Sequence, residues 1–361
     1  MNDNEQRLRD LRDRIDALDV KLQELISERA RCAQDIAQIK QRTGSDNFYR
    51  PEREVEVLRR VLERNHGPLV DEEMARLFRE IMSACLALES PMHIAFLGPE
   101  GTFTQAAALK HFGHSVRTVP LGAIDEVFRE VESGAAHFGV VPIENSTEGV
   151  VNHTLDMFAS SPLKICGEVE LRIHHHLLGK GKGRKGRKKV VSHSQSLAQC
   201  REWLDANLPR VERVAVASNA EAARLAAADK QLLAIAGSSA AELYGLNIVA
   251  ENIEDEPDNT TRFLVIGRLD ASSSGSDKTS LLVSGQNRSG SLASLLAPLA
   301  RNGINMTRIE SRPSRRGLWE YVFFMDIDGH IEEPKVRAAL DELEREAAFV
   351  KWLGSYPKAV L

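Results

Sequence analysis

Residues 93–104 read HIAFLGPEGTFT, a short apolar run that ends at a glycine-containing turn. Comparable runs follow at 137–143, 188–193, 213–218 and 232–237, and each precedes a stretch with helical spacing. Strands that alternate with helices are typical of parallel β-α units. We therefore expect an α/β, doubly wound domain over residues 92–268.

The residues before this domain have a different period. Apolar side chains recur at helical spacing from Leu8 to Ile39, which predicts a helix of roughly 50 Å. A second helix is expected after Pro51 and a third over 71–89, giving an all-α domain over residues 1–91. A helix of that length cannot bury its stripe against two shorter ones, so we expect an intertwined homodimer or a higher homo-oligomer.

The residues after the α/β domain begin with a Ser/Gly-rich segment at 269–277, which predicts a linker. Residues 278–361 then follow a βαββαβ order. That order is typical of an α+β, ferredoxin-like domain.

Composition excludes several classes of protein. A net charge of −5 gives no general attraction to nucleic acid or to an anionic membrane, and no apolar run approaches the ~20 residues of a membrane span. The amino terminus lacks the apolar core of a signal peptide, so a cytoplasmic chain is expected. The cysteines share no C-x-x-C spacing and are predicted to be reduced and buried: Cys32, Cys85, Cys166 and Cys200.

Short polar side chains follow the predicted strands, where open α/β sheets bind ligands. They predict a site for a small, oxygen-rich anion, although each alone could be only a helix cap. The sequence contains no nucleotide-binding glycine motif, so no cofactor is expected. A metal at His174–His176 and nucleic-acid binding by the basic loop 181–189 are both disfavoured. The polar candidates are Glu144, Asn145, Ser146, His193, Gln195 and Asn219, with Asn259–Arg262 before the apolar strand 263–266.

Cations interrupt the apolar stripe of the first helix. Arg29 and Lys40 lie on that stripe, and Arg12 lies about a quarter turn away, where it could reach a neighbouring subunit. The charges fit a coiled-coil module with solvated ends, but interior cations facing a carboxyl favour an anion site.

The motifs GPEGTFT, GVVPIENSTEGVV, VVSHSQSLAQCREWL and NTTRF resemble those of prephenate dehydratases across 93–267. The resemblance implies a two-lobed fold that converts prephenate to phenylpyruvate in its cleft. It gives Thr261 the central catalytic role, with Arg262 and Phe263 on the same wall. We expect Arg262 to anchor a carboxylate or to position Thr261, and the turn 144–146 to complete the polar floor.

The segment 8–90 resembles the all-helical chorismate mutases, through LRDRIDALDVKLQELISERA, PERE and RLFREIMSACLALE. The resemblance implies that Arg12 of a partner subunit, Arg29 and Lys40 bind the substrate. It places Glu54 at the ring hydroxyl, with Arg53, the Arg50 amide and Cys85 nearby. Glu89 stands where relatives have a glutamine donor, so we expect Glu89 to act protonated.

Residues 290–330 resemble the amino-acid-binding ACT domain. The matching residues are Gly290, Ser291 and Leu292, and then Glu310, Ser311, Arg312 and Pro313. The resemblance implies phenylalanine as a feedback inhibitor. The chain is thus expected to be a bifunctional enzyme acting on chorismate and prephenate. Two alternatives stay open: a dehydratase whose helices only dimerise, and a non-catalytic two-lobed protein that binds a small anion.

Overall fold

The computed structural model describes residues 3–43, 49–181, 183–184, 186–286, 288–313 and 321–360. The predicted strand start at Trp319 and two lysines of the basic loop, Lys182 and Lys185, lie outside the described residues. Among the helices described, none combines the length and the apolar character needed to cross a bilayer.

Three helices form the amino-terminal domain, as predicted. They are α1 (Asp3–Arg42), α2 (Pro51–Glu63) and α3 (Asp71–Glu89). Pro51 opens α2 at a position where its missing N–H costs nothing. Asp71 is the first residue of α3 rather than its cap, which is Val70. Helix α1 packs on α3, and the buried residues of α1 are Ala33 and Ala37.

Much of the apolar stripe of α1 is uncovered in the single chain. Leu25 is 62% exposed and Ile39 is 60% exposed. The other large apolar residues of the stripe are exposed to a similar degree: Leu8, Leu11, Ile15, Leu18, Leu22, Ile26 and Ile36. The expectation that this helix cannot bury its stripe within one protomer is therefore confirmed. Cys32 on the same helix is exposed, so its predicted burial is wrong, whereas the other three cysteines are buried.

The α/β domain has two lobes, each with its own sheet. The first sheet has the order β2-β1-β3-β11-β5, with β4 paired to β3. Its strands are β1 (His93–Leu97), β2 (Arg117–Leu121), β3 (Phe138–Asn145), β4 (Gly149–Val150), β5 (Lys164–Arg172) and β11 (Thr260–Gly267). Its helices are α4 (Phe103–Phe112), α5 (Ile124–Ser133) and α6 (Asn152–Ser160).

The second sheet has the order β10-β6-β9-β7-β8. Its strands are β6 (His176–Gly179), β7 (Lys189–Ser192), β8 (Glu212–Ala215), β9 (Leu232–Ala236) and β10 (Asn247–Ala250). The accompanying helices are α7 (Ser194–Gln199), α8 (Arg201–Asn207), α9 (Asn219–Ala228) and α10 (Ser238–Tyr244).

Both sheets are mixed rather than wholly parallel. In the first, β1, β2 and β3 are parallel, but β11 runs antiparallel to β3 and β5. The reason is the chain path: β5 leads out to the second lobe and β11 returns from it, so the two must run in opposite directions. Residues Phe263–Ile266 of β11 are buried, as a strand covered on both faces requires.

The carboxyl-terminal domain has the predicted ferredoxin-like order. Its elements are β12 (Asp277–Ser284), α11 (Ser291–Arg301), β13 (Met306–Pro313), β14 (Tyr321–Asp328), α12 (Pro334–Glu346) and β15 (Phe349–Pro357). The sheet order is β13-β14-β12-β15, and all neighbours are antiparallel. Strand β13 therefore forms one edge of the sheet.

This sheet packs directly on the first lobe. Leu282, Phe324, Leu353 and Tyr356 share one apolar core with the residues of that lobe. Gly354 of β15 lies so close to β5 that an added Cβ would stand 2.2 Å from the carbonyl oxygen of Ile165. Only glycine permits this approach.

The linker segment between β11 and β12 is held in place by contacts at both of its ends. Ala271 is buried, and the carboxylate of Asp277 accepts hydrogen bonds from the backbone N–H and the hydroxyl of Ser274. Arg59 of α2 donates to the carbonyl of Ser274 at 2.7 Å, so the same segment also contacts the helical domain.

Candidate active sites

A cleft of about 570 Å³ separates the two lobes of the α/β domain. The first lobe contributes residues from the carboxyl ends of its strands and from the start of α4, and the second lobe contributes its equivalent loops. The polar and aromatic lining residues include Thr102, Phe103, Thr104, Asn145, Thr261, Phe263, His175, His193, Gln195, Ser196, Gln199 and Asn219.

Two helix N-termini open onto this cleft. Thr102 caps α4 and Ser218 caps α9, each accepting from a backbone N–H of the first turn. The remaining N–H groups and the helix dipoles favour anionic ligands. No lysine or arginine is among the described residues that line the cleft. An anion there would be bound by helix N-termini, hydroxyls and amides, and Glu148 is the one carboxylate among the described lining residues.

Thr261 lies at the end of β11 that faces the cleft. Its Oγ1 accepts a hydrogen bond from Nδ2 of Asn145 at 2.7 Å. The orientation of that amide is fixed, because Oδ1 of Asn145 accepts from the backbone N–H groups of Thr147 and Glu148, both at 3.0 Å. The Thr261 oxygen is therefore the acceptor in this contact, which leaves its hydrogen available to a ligand.

Asn219 holds the opposite wall together. Its Oδ1 accepts from the hydroxyls of Ser192 and Ser196, both at 3.0 Å, and from the backbone N–H of His193 at 3.2 Å. Asn219 thereby joins the end of β7 to the starts of α7 and α9. His193 in turn accepts from the backbone N–H of Gln195 through Nδ1.

Arg262 points away from the cleft, because alternate residues of a strand face opposite sides. Its guanidinium donates to Glu168 at 2.9 Å, to Asp326 at 2.6 Å and to the Tyr356 hydroxyl at 3.0 Å. Burial acts to raise the pKa of Asp326, but Arg262 and Ser280 together hold it below its ordinary value. Arg262 thus joins the strand of Thr261 to the carboxyl-terminal domain.

In the helical domain, Lys40 and Glu89 face each other, with Nζ 3.8 Å from Oε2. Burial raises the pKa of Glu89, while the positive charges of Lys40 and Arg29 oppose that rise. Cys85, one turn earlier on α3, is buried. Three of the predicted charged residues therefore form one electrostatic group.

Glu54 belongs to a different group, at the junction of the helical and α/β domains. It lies 3.6 Å from Arg79 and lines a cavity of about 30 Å³ with Tyr49 and His111. Burial raises the pKa of Glu54 to about 7, against the opposing charge of Arg79. Burial also lowers the pKa of His111 to about 3, and its Nε2 lies 3.0 Å from the Tyr49 hydroxyl.

The predicted effector-binding segments lie at the start of α11 and on the edge strand β13. Gly290 adopts a left-handed conformation with φ of 79°, and no atom lies within 4 Å of an added Cβ. Leu292 is 39% exposed. Along β13, Arg308 pairs with Glu144 at 2.8 Å and Arg312 pairs with Asp156 at 2.9 Å, so these side chains face the first lobe.

Three family models match the chain in the order of its domains. Chorismate mutase type II matches residues 11–90, prephenate dehydratase residues 94–271 and the ACT domain residues 279–345. The bifunctional chorismate mutase/prephenate dehydratase of Pseudomonas aeruginosa is 59% identical over 100% of both chains. The chain belongs to this bifunctional family. Its enzymatic activities are accordingly those of chorismate mutase and prephenate dehydratase.

More distant relatives support the same assignment. The bifunctional chorismate mutase/prephenate dehydratase of Aquifex aeolicus is 46% identical over 98% of this chain and 99% of its own. The crystal structure of prephenate dehydratase from Arthrobacter aurescens in complex with L-Phe has a TM-score of 0.68 and 35% identity. The match covers 74% of this chain and 90% of the Arthrobacter chain.

Several residues predicted for the dehydratase site do line the cleft. They are Asn145, His193, Gln195, Asn219, Thr261 and Phe263. Their convergence from both lobes follows from the two-lobed fold, since each stands where a strand ends and a helix or turn begins.

Three expectations for the dehydratase site need correction. Arg262 does not share the wall of Thr261 and Phe263, and it donates to three groups on the other side of β11. Glu144 pairs with Arg308 instead of lining the cleft, because it shares the side of the sheet that faces the carboxyl-terminal domain. Ser146 accepts from the backbone N–H of Thr260 at 3.0 Å and serves the turn.

Of the residues predicted for the mutase and effector sites, some lie together in the structure and others have different partners. Lys40, Arg29 and Glu89 are grouped, but Arg53 pairs with Glu56, and Glu54 lies apart from them beside Arg79. Arg12 lies exposed on α1. Arg312 is held by Asp156, so its guanidinium is not open to an effector in this arrangement.

Sequence reasoning missed His175 and Gln199 as residues that line the cleft. Gln199 belongs to the motif VVSHSQSLAQCREWL, but nothing local indicates that it meets Asn259, to which it is hydrogen-bonded. For the run His174–His176, the sequence analysis disfavours a metal but suggests no other role, and no group of potential ligands suited to a metal is found among the described residues.

Proposed function

We propose that the cleft dehydrates and decarboxylates prephenate to phenylpyruvate, and that the helical domain rearranges chorismate to prephenate. We further propose that phenylalanine inhibits the chain through its carboxyl-terminal domain. The observation that carries the proposal is the Thr261 hydroxyl, which accepts from a fixed Asn145 amide within a cleft between helix N-termini.

Prephenate carries two carboxylates, and the helix N-termini of α4 and α9 supply donors and positive dipoles for them. In the reaction, the bond from the ring to its carboxylate breaks, and the electron pair enters the ring as carbon dioxide leaves. The same electrons expel the ring hydroxyl, which becomes water after gaining a proton. Thr261 donates a hydrogen bond to the departing oxygen as negative charge develops there.

A neutral donor suits this step. The Asn145 bond to Oγ1 directs the single Thr261 hydrogen away from Asn145. A hydroxyl is a poor acid, so Thr261 stabilises the leaving group and the proton comes from water. Aromatisation of the ring supplies the driving force.

The proposed mutase site needs two protomers. Arg29, Lys40 and Glu89 belong to one chain, and Arg12 of the partner subunit completes the anion site once the α1 stripes pack together. Cys85 and the Arg50 amide remain proposed contacts, whereas Glu54 faces Arg79 at the domain junction and Arg53 pairs with Glu56. The rearrangement is pericyclic, so the site holds the compact conformer, and protonated Glu89 donates to the ether oxygen.

The proposed effector site uses the open turn at Gly290–Leu292 together with Glu310, Ser311 and Pro313 of β13. The Arthrobacter dehydratase, described as a complex with L-Phe, supports this choice of effector. Because Arg308 pairs with Glu144, the neighbour of Asn145, a shift of β13 would reach the cleft through one ion pair.

The test is to incubate the purified chain with chorismate and to follow prephenate and phenylpyruvate by chromatography. Both products should appear, and added phenylalanine should suppress the second. Prephenate without phenylpyruvate would overturn the dehydratase assignment. Conversion of supplied prephenate but not of chorismate would reduce the helices to a dimerisation module. Calorimetry that detects no phenylalanine binding would overturn the regulatory proposal.

A further inference from the structure

Four residues beside the cleft are joined in a closed ring of hydrogen bonds, which we call the amide ring: Asn145, Asn259, Gln199 and Glu148. Nδ2 of Asn145 donates to Oδ1 of Asn259 at 2.8 Å. Nδ2 of Asn259 donates to Oε1 of Gln199 at 3.2 Å, and Nε2 of Gln199 donates to Oε1 of Glu148 at 3.2 Å. The backbone N–H of Glu148 donates to Oδ1 of Asn145 at 3.0 Å, which closes the ring.

The direction of the amide ring is set at two points. Oδ1 of Asn145 accepts from the backbone N–H groups of Thr147 and Glu148, so Nδ2 of Asn145 is the donor end. An ionised carboxylate only accepts, so the nitrogen of Gln199 faces Glu148 and its oxygen faces Asn259. Each amide therefore has one orientation that satisfies its neighbours on both sides.

The Thr261 hydroxyl is attached to this ring. Of the two hydrogens on Nδ2 of Asn145, one is held by Asn259 and the other donates to Oγ1 of Thr261 at 2.7 Å. The carbonyl oxygen of Thr260 is a more distant acceptor, at 3.4 Å. Asn259 is 2% exposed, so little water can replace a partner that its amide loses. The direction of the Thr261 hydroxyl thus depends on the orientation of Asn259, which Gln199 sets in turn.

The amide ring spans the two lobes. Asn145 and Glu148 lie at the end of β3 and in the turn that follows, and Asn259 directly precedes β11, all in the first lobe. Gln199 is the last residue of α7, in the second lobe. Its backbone carbonyl accepts from the N–H of Asp255 at 2.7 Å, which holds that end of the helix in place. Closure of the ring therefore depends on the relative position of the lobes.

We propose that Asn259 and Gln199 are positioning residues for the dehydratase reaction. They hold the Asn145 amide and, through it, direct the Thr261 hydroxyl toward the leaving oxygen. Because the ring spans the lobes, the donor is oriented only while the lobes keep this relative position. The inference rests on the proposed dehydratase function of the cleft. The two residues act without touching the substrate and without gaining or losing a proton.

An exchange of side chains tests the ring. Gln199→Glu keeps the acceptor for Asn259 but places a second carboxylate against Glu148, and the repulsion between the two should open the ring. Adding Glu148→Gln supplies an amide that can donate to the new carboxylate, which closes the ring again. The double variant also keeps the net charge of the unsubstituted chain.

The readout is the dehydratase kcat with prephenate, because the charge added by Gln199→Glu would also weaken the binding of an anion and raise KM. In Gln199→Glu, kcat should fall by roughly 10-fold, as for the loss of one hydrogen bond. In the double variant, kcat should recover to within about 3-fold of wild type. Glu148→Gln alone should lose less than Gln199→Glu, since its amide oxygen can still accept. A wild-type kcat in Gln199→Glu, or no recovery in the double variant, overturns the proposal.

A second comparison asks whether Gln199 acts through Thr261. In a Thr261→Ala chain there is no hydroxyl to direct, so adding Gln199→Glu should lower kcat by less than about 2-fold. A residue that only supported the fold, or that bound the substrate itself, would cause the same loss in both backgrounds. Equal losses in the two backgrounds therefore overturn the proposal.

Gln199→Met takes the place of Gln199→Glu if that variant does not fold, as judged by circular dichroism. It removes the amide without adding a charge. Asn259→Leu removes both ring bonds of the other positioning residue. Each should lower kcat by roughly 10-fold when Thr261 is present and by less than about 2-fold in the Thr261→Ala chain. Equal losses again overturn the proposal, whereas a wild-type chain without dehydratase turnover would refute the proposed function itself.

Discussion

The cleft of the α/β domain and the Lys40–Glu89 group of the helical domain differ in the groups that they offer to the anions we propose for them. The cleft is assembled within one chain, has no lysine or arginine among its described lining residues, and has the Thr261 hydroxyl bonded to the Asn145 amide. The helical group relies on cations, and it lies on a helix whose apolar stripe is uncovered in the single chain. The first is formed by intrachain packing, and we propose that the second is completed only by assembly.

The largest expected effect is a loss of dehydratase activity without any loss of mutase activity. Thr261→Ala removes the proposed donor to the leaving oxygen, so dehydratase kcat should fall by about 10²- to 10³-fold, as for the loss of an oxyanion donor. Mutase activity should be unchanged, because that site lies in another domain. Steady-state assays with prephenate and with chorismate measure both.

Thr260→Ala is the matched control, since its hydroxyl donates to the carbonyl of Asp258 rather than lining the cleft. It should retain most dehydratase activity. Equal losses in the two variants would show that the strand, and not the Thr261 hydroxyl, had been damaged.

Arg262→Gln should act on stability more than on chemistry. It leaves the buried carboxylates of Glu168 and Asp326 without their guanidinium, which costs about 3 kcal/mol for a buried pair. Urea denaturation should show that loss in the free energy of unfolding. The folded variant should keep much of its dehydratase kcat.

A kcat for Arg262→Gln as low as that of Thr261→Ala, at full stability, would contradict the position of Arg262 outside the cleft. Arg129→Gln is a suitable control, because Arg129 pairs with Asp125 on an exposed helix face. Its free energy of unfolding should change by less than about 1 kcal/mol.

Leu18→Glu tests the dependence of the helical site on assembly. Leu18 is 50% exposed in the protomer, so a charge there should barely affect its folding but should prevent α1 stripes from packing together. Mutase activity should fall by at least about 10-fold while dehydratase activity persists, which follows from burying an unpaired charge at the interface. Sedimentation velocity should show smaller particles.

Gln23→Glu adds the same charge on another side of α1 and serves as the control. It should leave both particle size and mutase activity unchanged. A Leu18→Glu chain with full mutase activity as a monomer would show that the helical site is complete without a partner.

The smallest expected effect is a change in pH dependence. Burial raises the pKa of Glu89, and its proposed role needs the protonated form. Mutase activity should therefore be highest at acidic pH and fall as the pH rises through that pKa. In Glu89→Gln the donor is permanent, so this decline should disappear, whereas Glu73→Gln on the exposed face of α3 should retain it. A flat profile in the unsubstituted chain would remove this role.

The sequence predicted the helices and strands better than it predicted which of them lie side by side. The stripe of α1 and the βαββαβ order are local patterns, so they could be recognised without knowing the fold. The antiparallel direction of β11 could not be predicted from the sequence, because it depends on the path of the chain between β5 and β11. Cys32 was expected to be buried, but it lies on a helix that one chain cannot cover.

Arg262 was misplaced although the necessary signal was present. It follows Thr261 directly, and a period of two places neighbours in a strand on opposite faces. The partners Glu168 and Asp326 lie far away in the sequence, so nothing indicated which ions it would meet. The hydrogen bonds that join Asn259 to Asn145 and to Gln199 could not be predicted for the same reason, since these residues lie far apart in the sequence.

The opposite orientations of Thr261 and Arg262 have a consequence for insertions and deletions. Moving β11 by one residue would send a guanidinium into the cleft and a hydroxyl into the ionic core, and both surroundings resist that exchange. The carboxyl-terminal domain, which binds Arg262 through Asp326 and Tyr356, thus fixes the register of the strand that carries Thr261. Its removal should cost the dehydratase its alignment as well as its control.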